Sequence, residues 1–272
     1  MSERLVDPER QSPEYQHDVL AGDGMEHDDA GARANDVRDL LAGPESRLKE
    51  ALRVVRICLE FIRGFRKLHF TGPCVTVFGS ARFEPGHEYY EMARAVGGAL
   101  VRQGFTVMTG GGPGVMEGAN RGAREAEGRS LGINIVLPHE QDANPYVDKV
   151  VTFKYFFVRK VMLVKYSYAF IALPGGFGTM DEIFETATLI QTGKIERFPL
   201  VLMGTKYWGP LIDFVRETML EEGTIGAEDI QNVLITDDPE EAALKVREYG
   251  MKHLGLKEKG PRRPLGWLFE KR

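Results

Sequence analysis

The sequence predicts an α/β fold in which a mainly parallel, doubly wound sheet carries helices on both faces. Short apolar runs typical of buried strands alternate along the chain with amphipathic segments whose apolar residues recur every three or four positions. Strands that alternate with helices in this way form parallel sheets. Three of the strand-like runs also end in turns rich in glycine or hydroxyl residues, and ligands bind at such strand ends in open α/β sheets.

The predicted elements follow one another along most of the chain. Strands are expected near residues 74–78, 105–108, 131–136, 168–173, 199–203 and 233–235. Helices are expected near residues 44–67, 88–103, 115–123, 155–166 and 211–221, directly after Gly178, and near 240–249. The segment that contains His139 to Tyr146 shows no clear period and is expected to be irregular.

Composition and charge exclude several classes of protein. Of the 272 residues, 43% are hydrophobic and 28% are charged, which is ordinary for a globular chain. No apolar run reaches the ~18 residues that a membrane span needs, and no apolar signal-peptide core is visible, so we expect a cytoplasmic protein without a membrane partner. Cys58 and Cys74 show neither metal-ligand spacing nor a disulfide framework. No metal and no cofactor is expected.

The charge divides the chain into regions. Residues 1–34 hold nine acidic and three basic residues, whereas the whole chain carries a net charge of −5. This arm is predicted to be disordered, and the nearly neutral remainder argues against a nucleic-acid partner. Residues 35–70 are predicted to form an amphipathic helix that packs on the body or on a partner subunit, with apolar positions at Leu48, Leu52, Val55, Leu59 and Ile62. Residues 71–252 form the α/β body, and residues 253–272 form a basic tail.

The most informative stretch runs from Leu173 to Glu185 and joins a buried strand to a helix. Gly175, Gly176 and Gly178 allow the backbone to approach a ligand closely, and a helix N-terminus presents free N–H groups to an anion. Thr179 adds a hydroxyl. The stretch therefore predicts a site for a phosphorylated ligand, with carboxylates close by.

A purely structural interpretation of this stretch is equally compatible with the local pattern. Thr179 and Glu182 have the spacing of a capping box, in which Thr179 is the N-cap and Glu182 reaches back to it. One glycine would suffice for such a turn, however, and a carboxylate beside an anion site is costly unless it has a task. The sequence alone leaves both interpretations open.

Two further turns and two charged positions complete the candidate site. The turns at Gly79–Ser80 and Gly110–Gly114 lack both the dinucleotide fingerprint and the Walker A lysine, which favours a monophosphate. Glu117 can pair with Arg121 at i+4 or contact a ribose hydroxyl. Arg159 lies in an aromatic, apolar helix, and we expect it to point into the crevice.

These motifs resemble the Lonely Guy (LOG) family. The resemblance is carried by Gly110 to Glu117, by Arg159-Lys160 and by Pro174-Gly175-Gly176-Phe177-Gly178-Thr179-Met180-Asp181-Glu182, and it covers roughly residues 70–250. The family comprises cytokinin riboside 5′-monophosphate phosphoribohydrolases, many of them formerly labelled possible lysine decarboxylases. The resemblance implies a Rossmann-like fold, a homodimer or higher homo-oligomer, and hydrolysis of the N-glycosidic bond of nucleoside 5′-monophosphates. The longer Gly110 to Ala123 form resembles bacterial members, so AMP is as plausible a substrate as a cytokinin riboside monophosphate.

The resemblance also implies roles for individual residues. The glutamate of the family motif falls on Glu182 and the catalytic arginine on Arg159. The substrate-binding positions expected from the turns and from the family are Gly79, Ser80, Gly111, Gly112, Gly114, Glu117, Lys160, Pro174, Gly175, Gly176, Gly178 and Thr179. Glu182 as a carboxylate would stabilise positive charge on the ribose and activate water, whereas Arg159 would contact either the phosphate or the leaving base.

Two other functions remain open from the sequence. A nucleotide-binding or regulatory protein would use the same crevice without turnover. A pyridoxal-phosphate decarboxylase would need a Schiff-base lysine in the pocket, and the glycine motifs contain none.

Overall fold

The computed structural model describes residues 17–19, 40–136, 143–195, 199–231 and 233–253. Within these ranges, eight strands form one sheet in which every neighbouring pair is parallel. The strands are β1 (His17–Val19), β2 (Cys74–Phe78), β3 (Thr106–Thr109), β4 (Ser130–Ile135), β5 (Lys149–Phe153), β6 (Ser167–Ala172), β7 (Leu200–Met203) and β8 (Val233–Thr236).

Seven α-helices lie in the described part of the chain. They are α1 (Arg47–Leu68), α2 (Glu88–Arg102), α3 (Val115–Glu125), α4 (Phe156–Tyr166), α5 (Phe177–Gln191), α6 (Thr205–Asp213) and α7 (Pro239–His253). A π-helix (Phe214–Met219) continues α6, and a 3₁₀ turn (Ala227–Ile230) precedes β8. No helix in the described ranges is both long and apolar enough to cross a membrane.

The strand order fixes where a ligand site can form. The sheet has the order β1-β5-β4-β3-β2-β6-β7-β8. From β2 the chain adds β3, β4 and β5 on one side of β2, and then places β6, β7 and β8 on its other side. The switch point between β2 and β6 leaves a crevice outside the carboxyl ends of these two strands. This is the Rossmann-like arrangement that the resemblance implies, and it confirms the predicted fold class.

Helices cover both faces of the sheet. On one face, Leu68 of α1, Met162 of α4 and Trp208 of α6 join one apolar core. On the other face, Leu100 of α2 and Ala119 of α3 belong to a second core, which α7 completes. Because neither face meets water, the central strands are continuous apolar runs rather than alternating ones, and every residue of β2 is buried.

Two elements differ from the prediction. β5 was missed, although Val150-Val151-Thr152-Phe153 is β-branched and aromatic; the irregular segment before it obscured the strand, and residues 137–142 of that segment lie outside the described residues. The helix expected near 211–221 begins earlier, at Thr205, and widens into a π-helix at Phe214. Pro210 lies inside α6, and a proline removes one helical hydrogen bond and disturbs the turn around it.

One short segment of the predicted arm lies among the described residues. His17–Val19 pairs in parallel with Val150–Thr152 of β5. The edge of β5 offers unpaired backbone groups, which a short extended segment can satisfy. The rest of residues 1–39 and the predicted basic tail from residue 254 onward lie outside the described residues.

The predicted amphipathic helix, α1, packs against the body on the side of α4. The Glu60 carboxylate accepts hydrogen bonds from the backbone N–H of Lys154 (2.5 Å) and of Tyr155 (3.4 Å), and so caps the N-terminus of α4. Burial raises the pKa of Glu60, and the two N–H bonds only partly offset this. A Cβ at Gly64 would lie 2.8 Å from the Phe153 ring, so α1 approaches β5 very closely there.

The contact between α2 and α3 gives a stability prediction. A Cβ at Gly122 would lie 1.8 Å from the carbonyl oxygen of Arg94, whereas a Cβ at Gly209 in α6 would meet nothing within 4 Å. We expect Gly122→Ala to lower the free energy of unfolding by about 1–3 kcal/mol through overpacking. Gly209→Ala should be neutral or slightly stabilising. Thermal unfolding measures both, and equal Tm values for the two variants would contradict the close helix approach.

Candidate active site

A crevice of about 680 Å³ opens at the switch point between β2 and β6. Its walls are the turn after β2, the turn after β6 with the first residues of α5, and the side chain of Arg159 from α4. This volume lies within the ~300–1,000 Å³ of small-molecule sites. Of the predicted site residues, the lining contains Gly79, Ser80, Arg159, Gly175, Gly176, Gly178, Thr179 and Glu182.

The turn after β6 places the N-terminus of α5 against the crevice. The Tyr207 hydroxyl donates to the carbonyl oxygen of Gly175 (2.7 Å) and fixes the turn. A Cβ at Gly175 would lie 2.1 Å from Thr179 Oγ1, so packing requires glycine at this position. A Cβ at Gly176 or Gly178 would meet no atom within 4 Å. Packing therefore does not require these two glycines, and their bare backbone leaves the crevice open to a ligand.

The structure excludes the capping-box interpretation. Helix α5 begins at Phe177 with Gly176 as its N-cap, and no side chain caps it. Thr179 is the third helical residue and Glu182 is the sixth, so Glu182 lies beyond the N3 position from which a capping glutamate reaches back. The capping interpretation was wrong because the helix begins three residues earlier than that pattern requires, with Gly176 rather than Thr179 as its N-cap.

Glu182 is a buried carboxylate that faces the crevice. Only 5% of its surface is exposed, and its Oε2 has no hydrogen-bond partner among the described residues. Burial raises the pKa of the Glu182 carboxyl to about 7, although the positive charges of Arg159 and Lys160 oppose the rise. A buried polar atom without a partner is costly, so this oxygen is available for a ligand or a water molecule.

Arg159 is held by β4 and by a glycine. Its Nε donates to the carbonyl oxygen of Ile133 (2.8 Å), and a Cβ at Gly110 would lie 2.7 Å from its Nη2. Gly110 thus leaves room for the guanidinium group at the end of β3. Burial lowers the pKa of Arg159 and the nearby Glu182 carboxylate raises it, but a guanidinium stays charged in proteins. The expectation that Arg159 points into the crevice agrees with this geometry.

Lys160 lies outside the crevice lining. Its ammonium group pairs with Asp181 and with Glu185, both at 2.8 Å, and so ties α4 to α5. Burial lowers the pKa of Lys160, but its hydrogen bonds to these two carboxylates outweigh burial and raise it. Because its neighbours Arg159 and Glu182 belong to the same two helices, Lys160 fixes the relative position of the two crevice residues.

The turn after β2 is joined directly to the turn after β6. The backbone N–H of Ser80 donates to the carbonyl oxygen of Pro174 (2.9 Å). Pro174 does not line the crevice, and its contribution to the site is this hydrogen bond. A Cβ at Gly79 would lie 2.4 Å from the side chain of Val115, so glycine is required where α3 packs against this turn.

The Gly110–Gly114 turn supports the site from behind. Within the turn, Gly111 N–H donates to Thr109 Oγ1 (2.9 Å). Directly after the turn, Val115 N–H donates to the carbonyl oxygen of Ser80 (3.0 Å). Asn144 donates to the carbonyl oxygen of Gly112 (2.9 Å). Gly111, Gly112 and Gly114 do not join the crevice lining, so two of the three turns, not all three, reach the crevice.

Glu117 also lies outside the lining and has a different partner from the one anticipated. It accepts a hydrogen bond from the Tyr90 hydroxyl (2.9 Å). Arg121 pairs instead with Glu125 (2.9 Å). The Glu117–Arg121 pair, one of the two alternatives from the sequence, does not form: Tyr90 of α2 binds Glu117, and Arg121 binds Glu125, which Arg94 of α2 also binds.

Seven lining residues were not among the predicted site residues: Phe78, Ala81, Arg82, Phe83, Met116, Phe177 and Tyr207. Arg82, two residues after Ser80, is exposed and stands at the rim of a site predicted to bind an anion. Its position directly after a strand-end turn was a usable signal. Tyr207 comes from α6, far along the chain, and no local pattern connects it to the crevice.

The arrangement suits chemistry on an anionic ligand. The first N–H groups of a helix lack intrahelical partners and carry the positive end of the helix dipole. In α5 the Thr179 N–H already donates to the carbonyl oxygen of Gly176 (3.0 Å), so the N–H groups of Phe177 and Gly178 are the ones left for a ligand. Arg82 and Arg159 add two cations to the crevice, and Glu182 adds one carboxylate with a pKa near neutrality. An anion held by the helix end would therefore lie close to a group that can accept or release a proton.

Comparisons with known proteins agree with this geometry. A family profile described as possible lysine decarboxylase matches residues 116–246. The cytokinin riboside 5′-monophosphate phosphoribohydrolase LOG of Oryza sativa subsp. japonica is 31% identical over 191 residues, which are 68% of this chain and 76% of the relative. The cytokinin riboside 5′-monophosphate phosphoribohydrolase of Mycobacterium tuberculosis is 30% identical over 183 residues, 65% of this chain and 95% of the relative. The X-ray structure of TM1055 is 26% identical with a TM-score of 0.51, and the match covers 65% of this chain and 99% of that one.

The raised pKa of Glu182 predicts a stability effect of Glu182→Gln. The pKa rises from 4.5 in the unfolded chain to about 7 in the fold, so wild-type stability falls as the pH increases from 4.5 to 7. Above pH 7 the buried charge costs on the order of 2–3 kcal/mol. Glutamine cannot ionise, so the variant should melt a few degrees above wild type at pH 8 and at nearly the same temperature near pH 4.5. A Tm difference that does not change with pH would contradict the raised pKa.

Proposed function

This chain belongs to the LOG family, and we propose that it hydrolyses the N-glycosidic bond of nucleoside 5′-monophosphates to free base and ribose 5-phosphate. The named relatives in rice and in Mycobacterium tuberculosis are phosphoribohydrolases of cytokinin riboside 5′-monophosphate. AMP and cytokinin riboside monophosphates share the phosphate, the ribose and a purine base. The proposal covers this substrate class.

The buried carboxylate of Glu182 carries the proposal. Its Oε2 has no partner in the described part of the chain, and its pKa is about 7. A site that only bound a phosphate would gain nothing from a carboxylate, since the two negative charges repel. Hydrolysis of a glycosidic bond does need one, because positive charge develops on the ribose ring in the transition state.

The N-terminus of α5 would bind the 5′-phosphate. Gly176 and Gly178 bring the backbone to the crevice surface, the Thr179 hydroxyl lies at the same turn, and Arg82 stands at the rim. Backbone N–H groups at a helix end together with a guanidinium form charge-assisted hydrogen bonds with a phosphate. The phosphate would thereby orient the ribose toward Glu182.

The chemical step then follows from the remaining groups. The C1′–N bond breaks with its electron pair passing to the base, and the ribose acquires oxocarbenium character. The Glu182 carboxylate stabilises this charge and accepts a proton from the attacking water, whose oxygen bonds to C1′. That proton then passes to the departing base, so the free base leaves and Glu182 is ionised again. Arg159, held at the end of β3 and β4, supplies positive charge to the phosphate or to the departing base.

A decarboxylase that uses pyridoxal phosphate is disfavoured. Such an enzyme forms a Schiff base with a lysine in the pocket, and the described crevice lining includes no lysine. Lys160, the lysine nearest to Arg159 in sequence, is paired with two carboxylates. Incubation of the pure protein with a panel of nucleoside monophosphates, followed by assay of free base, separates the hydrolase from a nucleotide-binding protein without turnover.

The proposed phosphate site predicts a strong preference for AMP over adenosine. Each lost charge-assisted hydrogen bond is worth about 1.5–3 kcal/mol, so the loss of two should lower kcat/KM more than a hundredfold. Release of adenine from both compounds at matched concentrations measures the ratio. Comparable rates on AMP and on adenosine would contradict the proposed phosphate site.

The proposed role of Glu182 predicts that Glu182→Gln abolishes turnover and retains binding. Loss of a general acid or base typically costs about 10²–10⁴-fold, and AMP affinity should stay the same or rise because a negative charge near the phosphate is gone. The wild-type rate should increase as the pH rises through about 7, where the Glu182 carboxyl ionises. The residual rate of Glu182→Gln should show no such increase with pH.

Asp181→Asn is the matched control. It makes the same chemical change one residue away, at a carboxylate that pairs with Lys160 outside the crevice lining. Its turnover should stay within a few-fold of wild type. A Glu182→Gln variant that retains more than about a tenth of the wild-type rate would rule out the catalytic role.

A further inference from the structure

Helix α1 has two different sides. One side faces the body and includes Arg53, Glu60, Gly64 and Leu68, all of them buried. Ile57 and Phe61 also pack against the core on this side. Five other large aliphatic residues of the helix form what we call the outer stripe: Leu48, Leu52, Val55, Leu59 and Ile62. Between 45% and 72% of each of these residues is exposed. The apolar positions that predicted an amphipathic helix therefore do not pack on the body.

The outer stripe lies roughly opposite the contact with the body. At about 100° per residue, its five positions cluster some 150° around the helix from the buried positions. Their spacing of four, three, four and three residues is that of the a and d positions of a coiled coil. Fourteen residues separate Leu48 from Ile62, so the stripe forms a ridge roughly 21 Å long. A continuous apolar ridge of this kind marks an interaction surface.

We propose that the outer stripe is an interface between copies of this chain, in which α1 packs against α1 of a second copy. Knobs-into-holes packing requires a partner helix with the same apolar repeat, and every copy of the chain presents one. Because the stripe faces away from the body, two helices can meet while their bodies remain on opposite sides. A two-fold axis makes such a contact self-complementary.

Charges along the helix favour a parallel pair. Lys49, Arg56 and Arg63 follow one edge of the stripe, at the e positions of the heptad, whereas the g positions of the other edge hold Ala51, Cys58 and Phe65. In an antiparallel pair the two basic edges would face each other. In a parallel pair each basic edge faces an uncharged edge, so repulsion is avoided.

The interface would be coupled to the candidate active site through the inner side of the same helix. Glu60 caps α4 at Lys154 and Tyr155, and α4 carries Arg159. Association that fixes α1 would therefore also hold the helix that supplies a crevice arginine. The inference about the interface itself does not depend on the proposed reaction.

The test compares two neighbouring valines in the full-length chain. Val55 belongs to the outer stripe and Val54 does not, yet the two are 55% and 58% exposed. Val55→Glu places like charges opposite each other across the interface, so the mass of the assembly in solution, measured by light scattering, should fall at least twofold. Val54→Glu should leave both the mass and the Tm unchanged. Val55→Glu should still unfold cooperatively because its side chain does not pack on the body, but loss of the partner copy should lower its Tm.

A cross-link tests the direct contact. In a parallel pair, residue 55 of one copy faces residue 55 of the other, so Val55→Cys in a Cys58→Ser background should form a disulfide-linked dimer under mild oxidation. The same substitution at Val54 should not. Failure of the cross-link at position 55, or equal masses for both glutamate variants, would overturn the proposal.

Other occupants of the outer stripe give different results. If the acidic arm covers it, the wild-type chain is monomeric and removal of residues 1–34 causes association. If a lipid surface covers it, the wild-type chain is monomeric and binds anionic phospholipid vesicles in a manner that Val55→Glu abolishes. Either outcome would replace the second copy as the partner.

Discussion

One backbone hydrogen bond holds the candidate site together. The N–H of Ser80, after β2, donates to the carbonyl oxygen of Pro174, after β6 (2.9 Å), and the N–H of Leu173 donates to Phe78 one step earlier (2.9 Å). These bonds extend the pairing of the two strands beyond the sheet, so the two turns cannot separate. The N-terminus of α5 consequently faces the turn after β2 at a fixed distance, and the crevice exists before any ligand arrives.

The positions of Arg159 and Glu182 depend on these bonds and also on a contact between their two helices. Arg159 belongs to α4 and Glu182 to α5, and Lys160 bridges the two helices through Asp181 and Glu185. The ion pairs lie beside the crevice rather than in it. Lys160 thus leaves Oε2 of Glu182 without a hydrogen-bond partner among the residues that the structure describes, while it holds the helices of Arg159 and Glu182 together.

The sheet and one of the ligand-facing turns could be predicted from the sequence. Buried parallel strands are apolar throughout, so β2, β6 and β7 were visible, and the glycine turn after β6 lay at the strand end where ligands bind. The Gly110–Gly114 turn was misleading as a predicted ligand site. Gly111 and Gly114 have positive φ angles, and a Cβ at Gly114 would lie 2.4 Å from the carbonyl oxygen of Ser80. Backbone packing and ligand contact select the same residue type, and only coordinates separate them. Tyr207 was invisible because only the tertiary fold brings it to the crevice.

Because Glu60 of α1 caps α4, substitutions in these two helices are not independent of each other. The helix that carries Arg159 has no capping side chain of its own, and it relies on a carboxylate from α1, far outside residues 116–246. Substitutions on α1 and on the β5–α4 junction share these contacts, so their effects on stability will not add. A segment that looks like an appendage is thus coupled in its effects on stability to the α/β body.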